Sequence, residues 1–123
     1  MENSIMSLQL AIKILESVPV QRGKQRLCSV ITDRKGNVLS IGQNSYVKTH
    51  PLQARAAKRL GKEESCYLHS EIDAVRRLGR DAHKARNIYV ARLDKQGNTA
   101  IAKPCEICQS VIDMMNLNVE YTI

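Results

Sequence analysis

Apolar side chains at Ile5, Leu8, Ile12 and Leu15 recur at spacings of three and four. This predicts an amphipathic helix that ends before Pro19 and covers one face of a sheet. Two runs rich in Val and Ile follow, Leu27 to Asp33 and Val38 to Ile41, separated by Lys35-Gly36-Asn37. They read as a hairpin in which Gly36 and Asn37 supply the turn geometry. From Asn44 to Ser65 the pattern is irregular around Pro51, with a short helix expected from Gln53 to Leu60. A connection of that length is more often functional than decorative. Leu68, Ile72 and Val75 form the stripe of a helix that runs to about Leu78 and stops near Gly79. Asn87 to Arg92 reads as a third strand, and Asp94 to Lys103 as a turn or small hairpin. A further helix turns Ile107, Val111 and Met114 or Met115 inward, and Asn118 to Ile123 is a last strand.

A helix followed by strand, strand, helix, strand, helix, strand describes an α/β protein. The expected architecture is a three-layer α/β/α sandwich whose crossovers cover both faces of a central mixed sheet of four to five strands. At 123 residues the chain is expected to form one domain, residues 1–123, with no internal repeat or low-complexity segment. No apolar run approaches the roughly 18 residues of a membrane span, and the opening Met-Glu-Asn-Ser lacks the basic region of a secretory signal. A cytoplasmic protein without membrane association is the expectation, and a reducing compartment suits its four cysteines.

The chemistry gathers in two short motifs, His69-Ser70-Glu71 and Pro104-Cys105-Glu106-Ile107-Cys108. His69, Cys105 and Cys108 make three borderline or soft zinc ligands, and Glu71 is an acid not needed to hold the metal. Cys105 and Cys108, three apart, share a helix face, and Pro104 suits the first helical position. At a helix start the free N–H groups favour thiolate, the metal-binding form. In a helix interior His69 and Glu71 would point roughly 200° apart, so they converge only near a helix end. Three protein ligands leave one position for water, whose proton Glu71 would take. Cys66 opens a rival: Cys66-x-x-His69 with Cys105-x-x-Cys108 would make a closed, structural zinc site. Against it, a closed site leaves Glu71 and Pro104 unexplained, and Cys66 also reads as a small buried apolar residue.

H-x-E followed by P-C-x-x-C resembles the signature of the zinc-dependent cytidine and deoxycytidylate deaminase superfamily. The segment from Arg26 to Asn44, with its closing Gly42-Gln43-Asn44, looks like the first hairpin of that fold. The resemblance covers roughly residues 5 to 123. It implies a cytidine deaminase-like domain with Zn2+ as cofactor, bound by His69, Cys105 and Cys108, and Glu71 as the proton-transferring catalytic residue. It further implies Asn44, Arg26, Ser70 and Pro104 at the substrate, Asn44 on the sugar. Members of the superfamily usually continue to a further strand, whereas here the pattern ends after the fourth. An open sheet edge invites pairing, so a homo-oligomer is expected.

The formal net charge of +7 and an isoelectric point near 9.5 favour a substrate or partner carrying phosphate. Positive residues cluster at Arg55, Lys58, Arg59 and Lys62, and at Arg76, Arg77, Arg80, Lys84 and Arg86, although solvated helix faces look the same. The chain has no Phe or Trp and only four Tyr, which argues against extended stacking platforms for nucleic acid. Tyr46 and His50, in the loop after Asn44, could stack on one base or simply pack the loop. The leading expectation is hydrolytic deamination of cytosine in a small-molecule nucleoside or nucleotide such as cytidine, deoxycytidine or dCMP. The alternatives are a deaminase acting within single-stranded DNA or RNA, of the tRNA-adenosine or toxin type, and a non-catalytic structural zinc domain.

Overall fold

The computed structural model describes residues 2–61 and 67–123, with side chains from Met6 onward. The first helix, α1 (Glu2–Glu16), is followed by the hairpin strands β1 (Arg26–Thr32) and β2 (Val38–Gln43). The connection contains α2 (Pro51–Arg59), and α3 (Ser70–Arg76) leads through a 3-10 turn at Gly79–Lys84 into β3 (Asn87–Leu93). A two-residue strand, β4 (Thr99–Ala100), precedes α4 (Glu106–Met114) and β5 (Asn118–Tyr121).

β1 lies between β2 and β3 and runs antiparallel to both. The other edge of β3 is divided: β4 pairs with Arg92 and Leu93, and β5 runs parallel to Asn87–Val90. The described residues thus hold a mixed sheet of five strands, the two-residue β4 being the one that hydrophobic periodicity could not register. The last expected strand forms as β5 against β3, and its outer edge pairs with no further strand among the described residues.

Both faces of the sheet are buried, which is why β1 reads as a nearly unbroken apolar run rather than an alternation. Cys28 and Val30 of β1 join Ala91 and Leu93 of β3 under Ala11 and Leu15 of α1. The α1 stripe is narrower than Ile5, Leu8, Ile12, Leu15: Ser7, Ala11 and Leu15 are fully buried, Leu8 and Ile12 flank them, and the Ile5 side chain lies outside the described ones. Small residues on the central line let the helix lie close to the sheet. On the opposite face Ile31, Ile88 and Val90 meet Ala74 and Leu78 behind α3 and Ile112 of α4. α2 packs outside these through Ala56 and Ala57, against Leu68, Ile72, Ile107 and Val111. Met115 joins that core and Met114 is exposed. Pro51 begins α2 at its first turn, capped by His50, whose Nδ1 accepts the Leu52 N–H at 3.0 Å. His50 is therefore a helix cap.

Candidate metal centre

α3 and α4 begin side by side, and both begin on a candidate metal-ligand residue. His69 is the N-cap of α3 and Cys105 the N-cap of α4, each with extended backbone. This leaves Pro104 two places before the first helical residue, Glu106, rather than at the first helical position expected for it, because Cys105 takes the capping place itself. The shift helps the chemistry. Side chains at an N-cap and at the third helical residue face each other, as in a capping box, and here those positions are Cys105 and Cys108. α3 is also shorter than expected, ending at Arg76 before Gly79 takes a positive φ of 54°.

The donor atoms of His69, Cys105 and Cys108 all lie within 4.8 Å of one another. His69 Nδ1 is 3.2 Å from Cys108 Sγ and 3.5 Å from Cys105 Sγ. Donors around a tetrahedral zinc stand about 3.5 to 3.8 Å apart, given Zn–N near 2.0 Å and Zn–S near 2.3 Å. The arrangement fits that ion. Electrostatics agree: the Cys108 thiol, helped by His69, pulls Cys105 down to about 3, and the hydrogen bond to Cys105 raises His69. Cys108 is held well above the ordinary thiol range by its bond to Cys105 and by burial. Three lone pairs thus compete for protons around one point, and a divalent cation displaces those protons. Cys66, the possible fourth ligand of a closed site, lies outside the described residues.

Glu71 is 4% exposed and occupies the second position of α3. Burial raises its carboxyl above the ordinary range, so it holds a proton more readily than a solvated glutamate. Its Oε1 accepts from Ser70 Oγ at 2.9 Å, and Ser70 Oγ lies 2.8 Å from Ser29 Oγ on β1. A hydroxyl has one proton to give, so Ser29 donates to Ser70 and Ser70 to Glu71. Ser29 escaped the sequence reading, although a lone serine inside the apolar run of β1 was its signal. Gln53 escaped it too: fully buried on α2, it accepts the His69 N–H through Oε1 at 3.3 Å.

A cavity of about 350 Å³ opens onto His69, Ser70, Glu71 and Cys105, within the range of small-molecule sites. Leu27 and Leu68 give it apolar walls, and Tyr46 and Tyr67 stand at its edge. Asn44 lines it as well, but its amide is engaged with the backbone beside it: Oδ1 accepts the Leu27 N–H at 3.0 Å and Nδ2 donates to the Gln25 carbonyl at 2.9 Å. Tyr46 is likewise anchored, its hydroxyl accepting the Gln25 N–H at 2.9 Å. Arg26 is placed elsewhere. Its buried guanidinium donates to the carbonyls of Leu15, Val18 and Asp94, tying the end of α1 to the turn after β3, and it does not line this cavity. Pro104 is buried beside the cluster without being part of the cavity lining.

No helix among the described residues is long and apolar enough to cross a membrane. No protein-family model matches the sequence, and no curated protein matches it significantly. Among solved structures the chain is similar to a cytidine deaminase from Mycobacterium tuberculosis, crystallised as a point mutant. The likeness covers 94% of this chain and 83% of that one, with a TM-score of 0.57 and 18% identity. At that identity it speaks for the fold: a mixed five-stranded sheet between helices, as in cytidine deaminases.

Proposed function

We propose that the protein is a zinc-dependent hydrolase that deaminates cytosine carried on a sugar, as a nucleoside or nucleotide, releasing ammonia and leaving uracil. The observation that carries this reading is the placement of Glu71. A buried acid with a raised affinity for protons opens onto the same cavity as His69 and Cys105 without belonging to their cluster. A structural metal site has no use for such a group, whereas acid–base catalysis requires one.

When bound by His69, Cys105 and Cys108, zinc supplies Lewis acidity that makes water nucleophilic near neutral pH. Glu71 would accept the proton of the attacking water, pass it to the ring nitrogen beside the amine-bearing carbon, and carry the second water proton to the departing ammonia. Ser70, donating to Glu71 Oε1, fixes which carboxylate oxygen is free for that transfer. Leu27 and Leu68 exclude bulk water from the flat faces of the base, and Asn44, held by the backbone of Gln25 and Leu27, presents a rigid polar edge near the sugar. The resemblance to the M. tuberculosis cytidine deaminase supports the same class of base.

Ammonia release by zinc-loaded protein, measured against cytidine, deoxycytidine, their monophosphates and adenosine, tests this reading. Turnover of a cytosine substrate that disappears in Glu71→Ala is the expected result. Turnover of adenosine alone would transfer the chemistry to another base, and bound zinc without turnover of any compound would overturn it.

A further inference from the structure

A second hollow lies beside the metal-site cavity and is divided from it. Between the end of β2 and α3 is a cleft of about 440 Å³ lined by Lys48, Asp73, Arg76 and Arg77, with Ile41 and Leu68 as apolar wall. The two hollows share Asn44, Ser45 and Leu68, and a backbone bridge separates them: Ser45 N–H donates to the Leu68 carbonyl at 2.9 Å, and Leu68 N–H to the Lys48 carbonyl at 2.9 Å. The same bridge fixes the backbone of Lys48, whose N–H also donates to Ser45 Oγ at 2.8 Å. None of His69, Glu71 and Cys105 lines this cleft.

Arg76 is the last residue of α3 and Arg77 its C-cap. Adjacent side chains leave a helix about 100° apart, and two guanidinium groups repel each other. Asp73, three and four residues earlier, draws them together. Its Oδ1 accepts Arg76 Nε at 2.6 Å and Arg77 Nε at 3.1 Å, while Oδ2 accepts Arg77 Nε at 3.1 Å and the Gln43 N–H at 3.0 Å. The carboxylate is buried and taken up by these donors. Because both arginines are held through Nε, the Nη pair of each, the end of the fork that can take two oxygens of a phosphate, has no partner among the described residues. The Lys48 ammonium has none there either. Three cations thus line one cleft with one acid, whose oxygens are already used.

We propose that this cleft is a binding site for a phosphate group, free or carried on a small molecule, separate from the metal centre. Cations scattered on a helix face need no ligand, but these converge on a concavity, and a phosphate dianion there offsets charges that otherwise repel. The Nη groups of Arg76 and Arg77 and the Lys48 ammonium donate to its oxygens. Ser45 adds a neutral donor: its oxygen accepts the Val47 and Lys48 N–H groups, and its hydroxyl proton has no acceptor among the described residues. The cleft is within the size range of small-molecule sites, so a carbon skeleton attached to the phosphate can pack on Ile41 and Leu68. The three cations line no part of the metal-site cavity, so the proposal does not depend on the deaminase reading.

The test is isothermal titration calorimetry of the zinc-loaded protein with inorganic phosphate and with phenyl phosphate, at about 0.15 M chloride, where attraction between exposed charges is screened beyond about 8 Å. The expected result is saturable binding that weakens about tenfold in Lys48→Gln and in Arg77→Lys, the second of which keeps the charge and loses the two-pronged contact. Tighter binding of phenyl phosphate assigns an organic phosphate that uses Ile41 and Leu68, and equal binding assigns free phosphate; either supports the site. Lys13→Gln on α1 and Lys103→Gln in the metal-site cavity should leave the affinity unchanged. Absence of saturable binding, equal losses in all the lysine variants, or a loss confined to Lys103→Gln would each overturn the proposal, the last by placing the phosphate at the metal centre. Ammonia release enters none of these readings, so failure here and failure of the deaminase reading are distinguishable.

Discussion

Gly42 of β2 touches the backbone of α3 at Ser70: a Cβ at Gly42 would stand 2.3 Å from the Ser70 carbonyl oxygen and equally close to the Ala74 nitrogen. Strand and helix backbones meet here with nothing between them, and one residue on, the Gln43 N–H donates to Asp73 Oδ2 at 3.0 Å. The start of α3, and with it His69 and Glu71, is thereby seated directly on the sheet. Gly42→Ala should push that helix end outward, at a cost of at least about 1–3 kcal/mol from overpacking. Melting temperature and zinc stoichiometry should both fall; a melt within about two degrees of the wild type would contradict this close seating.

Gln53 holds the candidate metal centre from behind, through the His69 backbone. Its side chain accepts the only backbone N–H of His69, so Gln53→Met keeps the volume and leaves that donor without its partner. A loss of about 1–3 kcal/mol in stability and about 10- to 100-fold in zinc affinity is expected, read by thermal melts and chelator competition. Unchanged zinc affinity would reduce Gln53 to a packing residue.

The two candidate ligand motifs, whose donor atoms the fold brings together, were legible in the sequence because such chemistry depends on residue type and spacing, both of which are local. The major helices and strands were legible for a similar reason: α1, β1, β3 and α4 bury broad apolar faces, and burial writes itself as periodicity. What the sequence did not expose depends on partners distant along the chain. β4 is two residues long and exists because β3 offers an edge at Arg92 and Leu93. Arg26 looked like a substrate residue in a linear motif, yet the carbonyls that bind it belong to residues 15, 18 and 94, which only the folded chain assembles. The basic cleft beside α3 was half visible: Arg76 and Arg77 formed a charge cluster in sequence, but Lys48 joins them only across the fold.

The thiols should separate sharply by reactivity. Cys105 is exposed and pulled down to about 3, whereas burial, with a smaller contribution from Asp73, pushes Cys28 up from 9.0 to about 12. In metal-free protein, alkylation followed by peptide mapping should label Cys105 first and Cys28 only on unfolding, and zinc should protect Cys105. The sign of the pH effect follows from the raised folded value. Cys28 contributes fully below about pH 9, its unfolded value, and that contribution is lost as pH rises towards 12. Cys28→Ala should therefore flatten the alkaline decline of the melting temperature; an unchanged decline would assign it to other groups.

Ser70 is best understood through Glu71. Its hydroxyl donates to Glu71 Oε1 and receives from Ser29, so it holds the carboxylate in one orientation; in the proposed reaction that makes it a positioning residue. Glu71→Gln should lower kcat by about 10²- to 10⁴-fold, the usual contribution of a positioned acid–base group, with zinc content unchanged. Ser70→Ala should lower kcat less and shift the acidic limb of the pH profile, because removing a donor that lowers the carboxyl pKa raises the pH at which Glu71 protonates. The two changes should not add: in the Glu71→Gln background the further loss from Ser70→Ala should vanish, since nothing remains for Ser70 to orient. If the losses in kcat multiply instead, Ser70 acts on the substrate directly, and the Ser29–Ser70–Glu71 chain is a packing arrangement with no part in proton transfer.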